Sequence, residues 1–142
     1  MAVEHRIPSC LFLLRVGVFI VMFMWTLDKF VNPDHAAQVY AFFFAIGGLG
    51  ATAFYVIGGL ELLVILAFVA GLFKRFTYAI VLLLLHAGST LAAWRHYLDP
   101  FSNLLFFAAW PMLAACVTLY LLRDLDTLWV IPTGAHASTP NR

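Results

Sequence analysis

From Ala36 to Phe73 the chain carries one carboxylate, Glu61, and no basic residue. Drawn as one helix, these 38 residues would reach about 57 Å at 1.5 Å per residue. That is too long for one membrane span and too short for two spans with a loop. The break falls at Gly47-Gly48-Leu49-Gly50. The pattern therefore predicts a short interfacial or re-entrant helix over about 33–46 and a span over about 51–73. An earlier span, about 10–28, is centred on the uncharged run Val16 to Leu27. Lys74-Arg75 make a tight polar turn, and a third span follows over about 77–98. Asp99-Pro100 stops it. Ser102 or Asn103 opens a fourth, about 102–122, which Pro111 should kink.

Asn32-Pro33-Asp34 is a good start for the short helix. Asn caps, Pro suits the first helical position, and Asp favours the positive end of the dipole. Val39 to Phe44 form an aromatic strip suited to the headgroup boundary. This helix is expected to lie like a lid over the region below Lys29, with the glycine segment as its hinge. The fold class is therefore an all-α integral membrane four-helix bundle. Residues 1–132 form a single transmembrane domain, and 133–142 form a polar tail expected to be disordered. No internal repeat is visible.

Composition agrees. Of the 142 residues, 64% are hydrophobic and 11% charged, against about 25% charged in a soluble domain. Neither a soluble globule nor a disordered chain has this balance. A net charge of +1 gives no reason to expect a nucleic-acid partner. Cys10 and Cys116 form no CxxC, so neither a redox dithiol nor a zinc site is signalled, and no metal is expected. Arg15 interrupts the first apolar run and no small-residue cleavage site follows it. That run is therefore read as a retained span. Arg6, Arg15, Lys74, Arg75, Arg123 and Arg142 fall on one side and only Lys29 and Arg95 on the other. Both termini are accordingly expected in the cytoplasm.

Glu61 is the most informative residue. An ionised carboxylate at the bilayer centre costs about 2.5–3.5 kcal/mol on translocon scales. It must be protonated, paired or wet. His86 poses the same problem in the third span. Glu61 lies 13 residues before Lys74 and His86 lies 12 after it. An antiparallel hairpin would set them at one depth, as a candidate proton-carrying pair. His86 also shares a helix face with Ser89, Thr90 and Ala93. The pair either fixes helix register or carries a proton beside a small pocket, since His titrates near neutrality. Lys29 and Arg15 read as interfacial anchors at opposite ends of the first span. Trp94 and Trp129 read as interface anchors, Trp25 and Trp110 as bundle residues. No nucleophile elbow, zinc-protease, P-loop or dinucleotide signature is present, and a haem on two axial histidines is not expected.

Taken in order, Arg15 before a first span, Lys29 closing it, Pro33 soon after, Gly58-Gly59-x-Glu61 and Gly71-x-x-Lys74-Arg75 resemble the DoxX family. The resemblance covers about Leu11 to Leu122. Thr26 and Lys74 depart from the Gly and Thr often found there. The resemblance implies a small four-span protein of the bacterial inner membrane. The name-giving relatives look like the membrane subunit of a thiosulfate:quinone oxidoreductase. It places Lys29, Glu61 and Arg75 on recurrent polar positions. With the residue-level reading, it makes Lys29, Glu61, His86 and Thr90 the candidate ligand contacts and quinone the expected cofactor. The expected partners are the lipid bilayer, a redox subunit or other membrane protein, and a second copy in a homo-oligomer. With no electron carrier in the chain, electrons would come from such a subunit. A non-enzymatic scaffold or assembly factor is the alternative. A small-solute or proton transporter is a third reading, though transporters usually have more spans or a repeat.

Overall fold

The computed structural model describes residues 6–99, 101–102 and 104–132. Their regular structure is all helical, with no strand among the described residues. Helix α1 is Arg6–Val31, α2 is Pro33–Phe44 and α3 is Ala51–Val69. Helix α4 is Lys74–Ala92 and α5 is Leu104–Leu121. All but α2 are long and apolar enough to cross a membrane, and the chain is a multi-pass membrane protein. At 26 residues, α1 reaches about 39 Å, which exceeds the hydrocarbon core.

The core joins Leu11, Val18 and Met22 of α1 to Ile65 and Phe68 of α3, Tyr78 and Val81 of α4, and Cys116 and Leu119 of α5. Large side chains such as Leu13, Ile20, Leu63, Leu83 and Leu91 point outward. In water such a surface would drive aggregation; in a bilayer, lipid tails cover it.

Element limits differ from the sequence expectation where turns intervene. Asn32 caps α2 as expected, its Oδ1 accepting from His35 N–H at 3.4 Å. Helix α3 ends at Val69, four residues early, because Gly71 and Phe73 take positive φ values of 66° and 47°. A Cβ on Gly71 would lie 2.5 Å from Val130 Cγ1, so that turn has room for glycine alone. Helix α4 stops at Ala92, and a 3-10 turn, Trp94–Tyr97, replaces the rest of the expected span. Pro111 does not kink a span centre. It sits in the first turn of the α-helical part of α5, Ala109–Leu121, which a 3-10 stretch, Leu104–Ala108, precedes. There the missing N–H costs little. Trp25 and Trp110, expected inside the bundle, are about half exposed, at 56% and 49%. Pro100, Asn103 and the tail 133–142 lie outside the described residues.

After α5 the chain turns back. Residues 123–131 form a strap across the end of the bundle opposite α2, and Ile131 N–H donates to Ala70 O at 3.0 Å. Arg15 holds the strap. Its Nη1 lies 3.1 Å from Asp126 Oδ2, and its Nη2 donates to Leu128 O at 2.6 Å and Trp129 O at 3.1 Å. Tyr78 Oη donates to the same carboxylate oxygen at 2.6 Å, and Lys74 Nζ donates to Asp126 O at 2.6 Å. The Arg15 and Asp126 side chains are both 0% exposed. Arg15 is thus an internal ion-pair residue and not the interfacial anchor expected.

Candidate functional site

Because Cα–Cβ bonds lean toward a helix's N-terminus, side chains of α1 tilt toward the strap end. At Arg15 that tilt aims the guanidinium at the strap. At Lys29, near the other end of α1, it aims the ammonium into the bundle. Lys29 therefore does not snorkel outward. It is 8% exposed, and its Nζ lies 2.8 Å from Glu61 Oε2 and 3.3 Å from Trp25 O. Thr26 Oγ1 donates to the same Glu61 oxygen at 3.3 Å.

The approach of α1 to α3 that makes this pair depends on Gly58. A Cβ there would lie 2.9 Å from the Phe30 ring and 3.3 Å from Lys29 Cβ. Gly59 has open space around it, so only the first glycine of the motif has a packing role. Glu61 follows Gly58 by three residues and lies on nearly the same helix face.

Helix α2 closes the site. Tyr40 packs edge-on against Phe54 of α3, with ring centroids 5.2 Å apart, and Lys29 Nζ stands 5.9 Å from the Tyr40 ring. Burial, and then the charge of Glu61, push the Tyr40 hydroxyl up to about 12. It stays protonated and able to donate. Asp28 and His35 form a separate pair, Nδ1 to Oδ2 at 2.7 Å, at the rim.

Below α2 lies a cavity of about 820 Å³, bounded by α1 to α4, Tyr97 and Phe106. Ligand pockets commonly measure about 300–1,000 Å³ and are apolar with a few placed polar groups. This cavity fits that description. Met22, Val39, Phe43, Leu60 and Val64 are among its apolar walls, and Thr26, Lys29, Tyr40, Glu61 and Ser89, with Asp28 and His35 at the rim, supply its polar groups.

The expected Glu61–His86 pair does not form. Glu61 is held by Lys29 and Thr26, whereas His86 Nε2 meets Ala109 O at 3.2 Å. The reason is local. Val81–Ala87 is π-helical, with i→i+5 bonding, so each residue advances less around the axis than in an α-helix. Equal depth from Lys74 therefore does not carry His86 onto the face that Glu61 meets. Ser89 and Ala93 do line the cavity. Thr90 does not, and its hydroxyl donates to His86 O at 2.8 Å. Of the candidate ligand contacts, Lys29 and Glu61 are brought together, while His86 and Thr90 stand apart from them. Arg75 is not among the cavity residues.

Asp126 and Tyr40 were not singled out by the sequence reading. Arg15, a cation inside an apolar run, was the available signal for an acidic partner. Asp124 and Asp126 both follow the last span, but only Asp126 is buried. Compared with known proteins, the chain matches no family model, no curated protein and no solved structure.

Proposed function

We propose that the chain is the membrane component of a quinone-linked redox system, as its resemblance to the DoxX family implies, and that a quinone-type ring binds in the cavity beneath α2. The observation that carries this reading is the Lys29–Glu61 pair, set into a mostly apolar cavity. The pair has no net charge, so it favours a neutral ring over a strongly charged head. Lys29 Nζ and the Tyr40 hydroxyl are donors suited to ring carbonyls. Transfer of one proton across the 2.8 Å contact interconverts an ammonium–carboxylate pair and an amine–carboxylic acid pair. Both forms are neutral overall; giving a proton to a bound ring would leave the pair with one net negative charge, and taking one up would leave it with one net positive charge. Bound quinone would supply the two-electron acceptor chemistry, with electrons delivered by a partner subunit.

The test is binding of decylubiquinone to the full chain in phosphatidylcholine nanodiscs. Lys29→Met is expected to weaken binding at least about tenfold, the scale of one charge-assisted hydrogen bond, and Tyr40→Phe to weaken it less. Unchanged affinity in Lys29→Met and in Glu61→Gln would overturn the reading.

We further propose a bacterial inner-membrane location with both termini cytoplasmic. Arg15 and Lys29 are neutralised internally and drop out of the charge balance. Arg6, Lys74, Arg75 and Arg123 then stand at the strap end against Arg95 at the other, an asymmetry that supports this orientation. Cysteines introduced near Asp34 and Asp99, with Cys10 and Cys116 replaced, should react with an impermeant maleimide from the periplasm. Reaction only after the inner membrane is permeabilised would reverse the topology.

A further inference from the structure

A second concavity, about 790 Å³, runs along the outside of the bundle between α1 and α5. Toward the strap end these helices belong to one buried cluster with Leu11, Val18, Cys116 and Leu119. Further along, Gly17 of α1 and Ala109 of α5 are too small to fill the space between the helices. A Cβ on Gly17 would meet nothing within 4 Å. The lining is mostly apolar, and His86 of α4 supplies its one ionisable ring nitrogen.

His86 is 4% exposed. Its Nε2 lies 3.2 Å from Ala109 O, and a carbonyl can only accept, so Nε2 carries the hydrogen. In the neutral ring Nδ1 is then a bare acceptor, and among the described residues it has no hydrogen-bond partner. The backbone that carries the ring is held. Ser89 and Thr90 donate to His86 O at 2.9 and 2.8 Å, and the π-helical stretch Val81–Ala87 carries the residue. Such stretches occur often at functional sites. An acceptor in a site open to lipid has no water to satisfy it.

We infer that this groove binds a lipophile bearing a hydroxyl group, with the hydroxyl donating to His86 Nδ1 and the apolar body lying along Gly17 and Ala109. Aliphatic and phenolic hydroxyls share this chemistry. Met22, Trp25, Tyr97 and Phe106 line both this groove and the cavity beneath α2, so the two sites share a wall. The inference extends the ligand reading of that cavity to a second, donor-selective position reached laterally from the bilayer, and mutation separates the two.

The experiment measures binding of decylubiquinol, a phenolic probe, to the full chain in phosphatidylcholine nanodiscs. Lys29→Met and Glu61→Gln run alongside to report on the other site. His86→Phe keeps most of the ring volume and removes the acceptor; it should lower decylubiquinol affinity about tenfold and leave decylubiquinone affinity unchanged. Gly17→Leu fills the groove without touching His86 and should abolish the His86-dependent binding. Lys29→Met should leave that component intact. Competition by 4-octylphenol but not by dodecanol assigns a phenol, and the reverse assigns an aliphatic alcohol. Wild-type decylubiquinol binding in both His86→Phe and Gly17→Leu would overturn the inference. Quinone binding that ignores Lys29 and Glu61 would overturn the cavity reading alone.

Discussion

Asp126→Ala is expected to destabilise the protein by about 3–5 kcal/mol, the usual cost of leaving one partner of a buried ion pair uncompensated. Arg15 and Asp126 are wholly enclosed, so no water replaces the lost carboxylate. Nη2 would keep its two strap carbonyls, but Nη1 would keep only the Tyr78 hydroxyl at 3.3 Å. The cost comes from the stranded charge more than from a lost attraction. Arg15→Met combined with Asp126→Leu should therefore recover most of the stability, because apolar side chains of similar volume often replace a buried pair without loss. Tyr78→Phe removes one hydrogen bond and should cost about 1 kcal/mol. Equilibrium unfolding in mixed micelles measures all three. A double variant no more stable than Asp126→Ala would show that the two residues act independently.

Glu61→Gln and Glu61→Ala are expected to destabilise the chain to the same degree, by about 3 kcal/mol. Both strand the Lys29 ammonium, and a neutral amide cannot balance it. Adding Lys29→Met to either background should restore most of the loss. This expectation separates two pairings of Glu61. Were its partner His86, glutamine would still offer an acceptor and be mild, whereas alanine would be severe. The same unfolding measurement, run on the two single variants, distinguishes them. A mild glutamine variant beside a severe alanine variant would argue for the histidine pairing and against the observed one.

The difference between the two pairings shows what patterning carries and what it does not. The four spans follow from the apolar runs, because in lipid the length of such a run directly sets a helix. Asn32-Pro33 marked the start of α2, and the glycines at 47–50 fall in its connection to α3. Which faces meet was harder to read. On α1 the buried positions Leu11, Arg15, Val18, Met22, Thr26 and Lys29 form a helical stripe. The residues outside the stripe are mostly apolar too, since they face lipid, so no polar surface outlines it. The direction in which Lys29 leans decided whether it was an anchor or a partner, and composition does not encode direction. The π-helical stretch around His86 breaks the count that α-helical spacing relies on. The return of the strap is a contact at long sequence separation, with nothing local to announce it.

The strap also sets a sequence of events during synthesis. Arg15 emerges 111 residues before Asp126. At roughly 5–20 residues per second the interval is about 6–22 s. Through that time α1 is already a membrane helix, yet its guanidinium lacks the carboxylate that will neutralise it. The nascent bundle is therefore provisional until the last span has inserted and the following residues have folded back over the first. A chain stalled or cut before Asp126 would keep a naked cation on a helix that is otherwise apolar. Arg15 therefore ties the finished fold of the first helix to the last segment made.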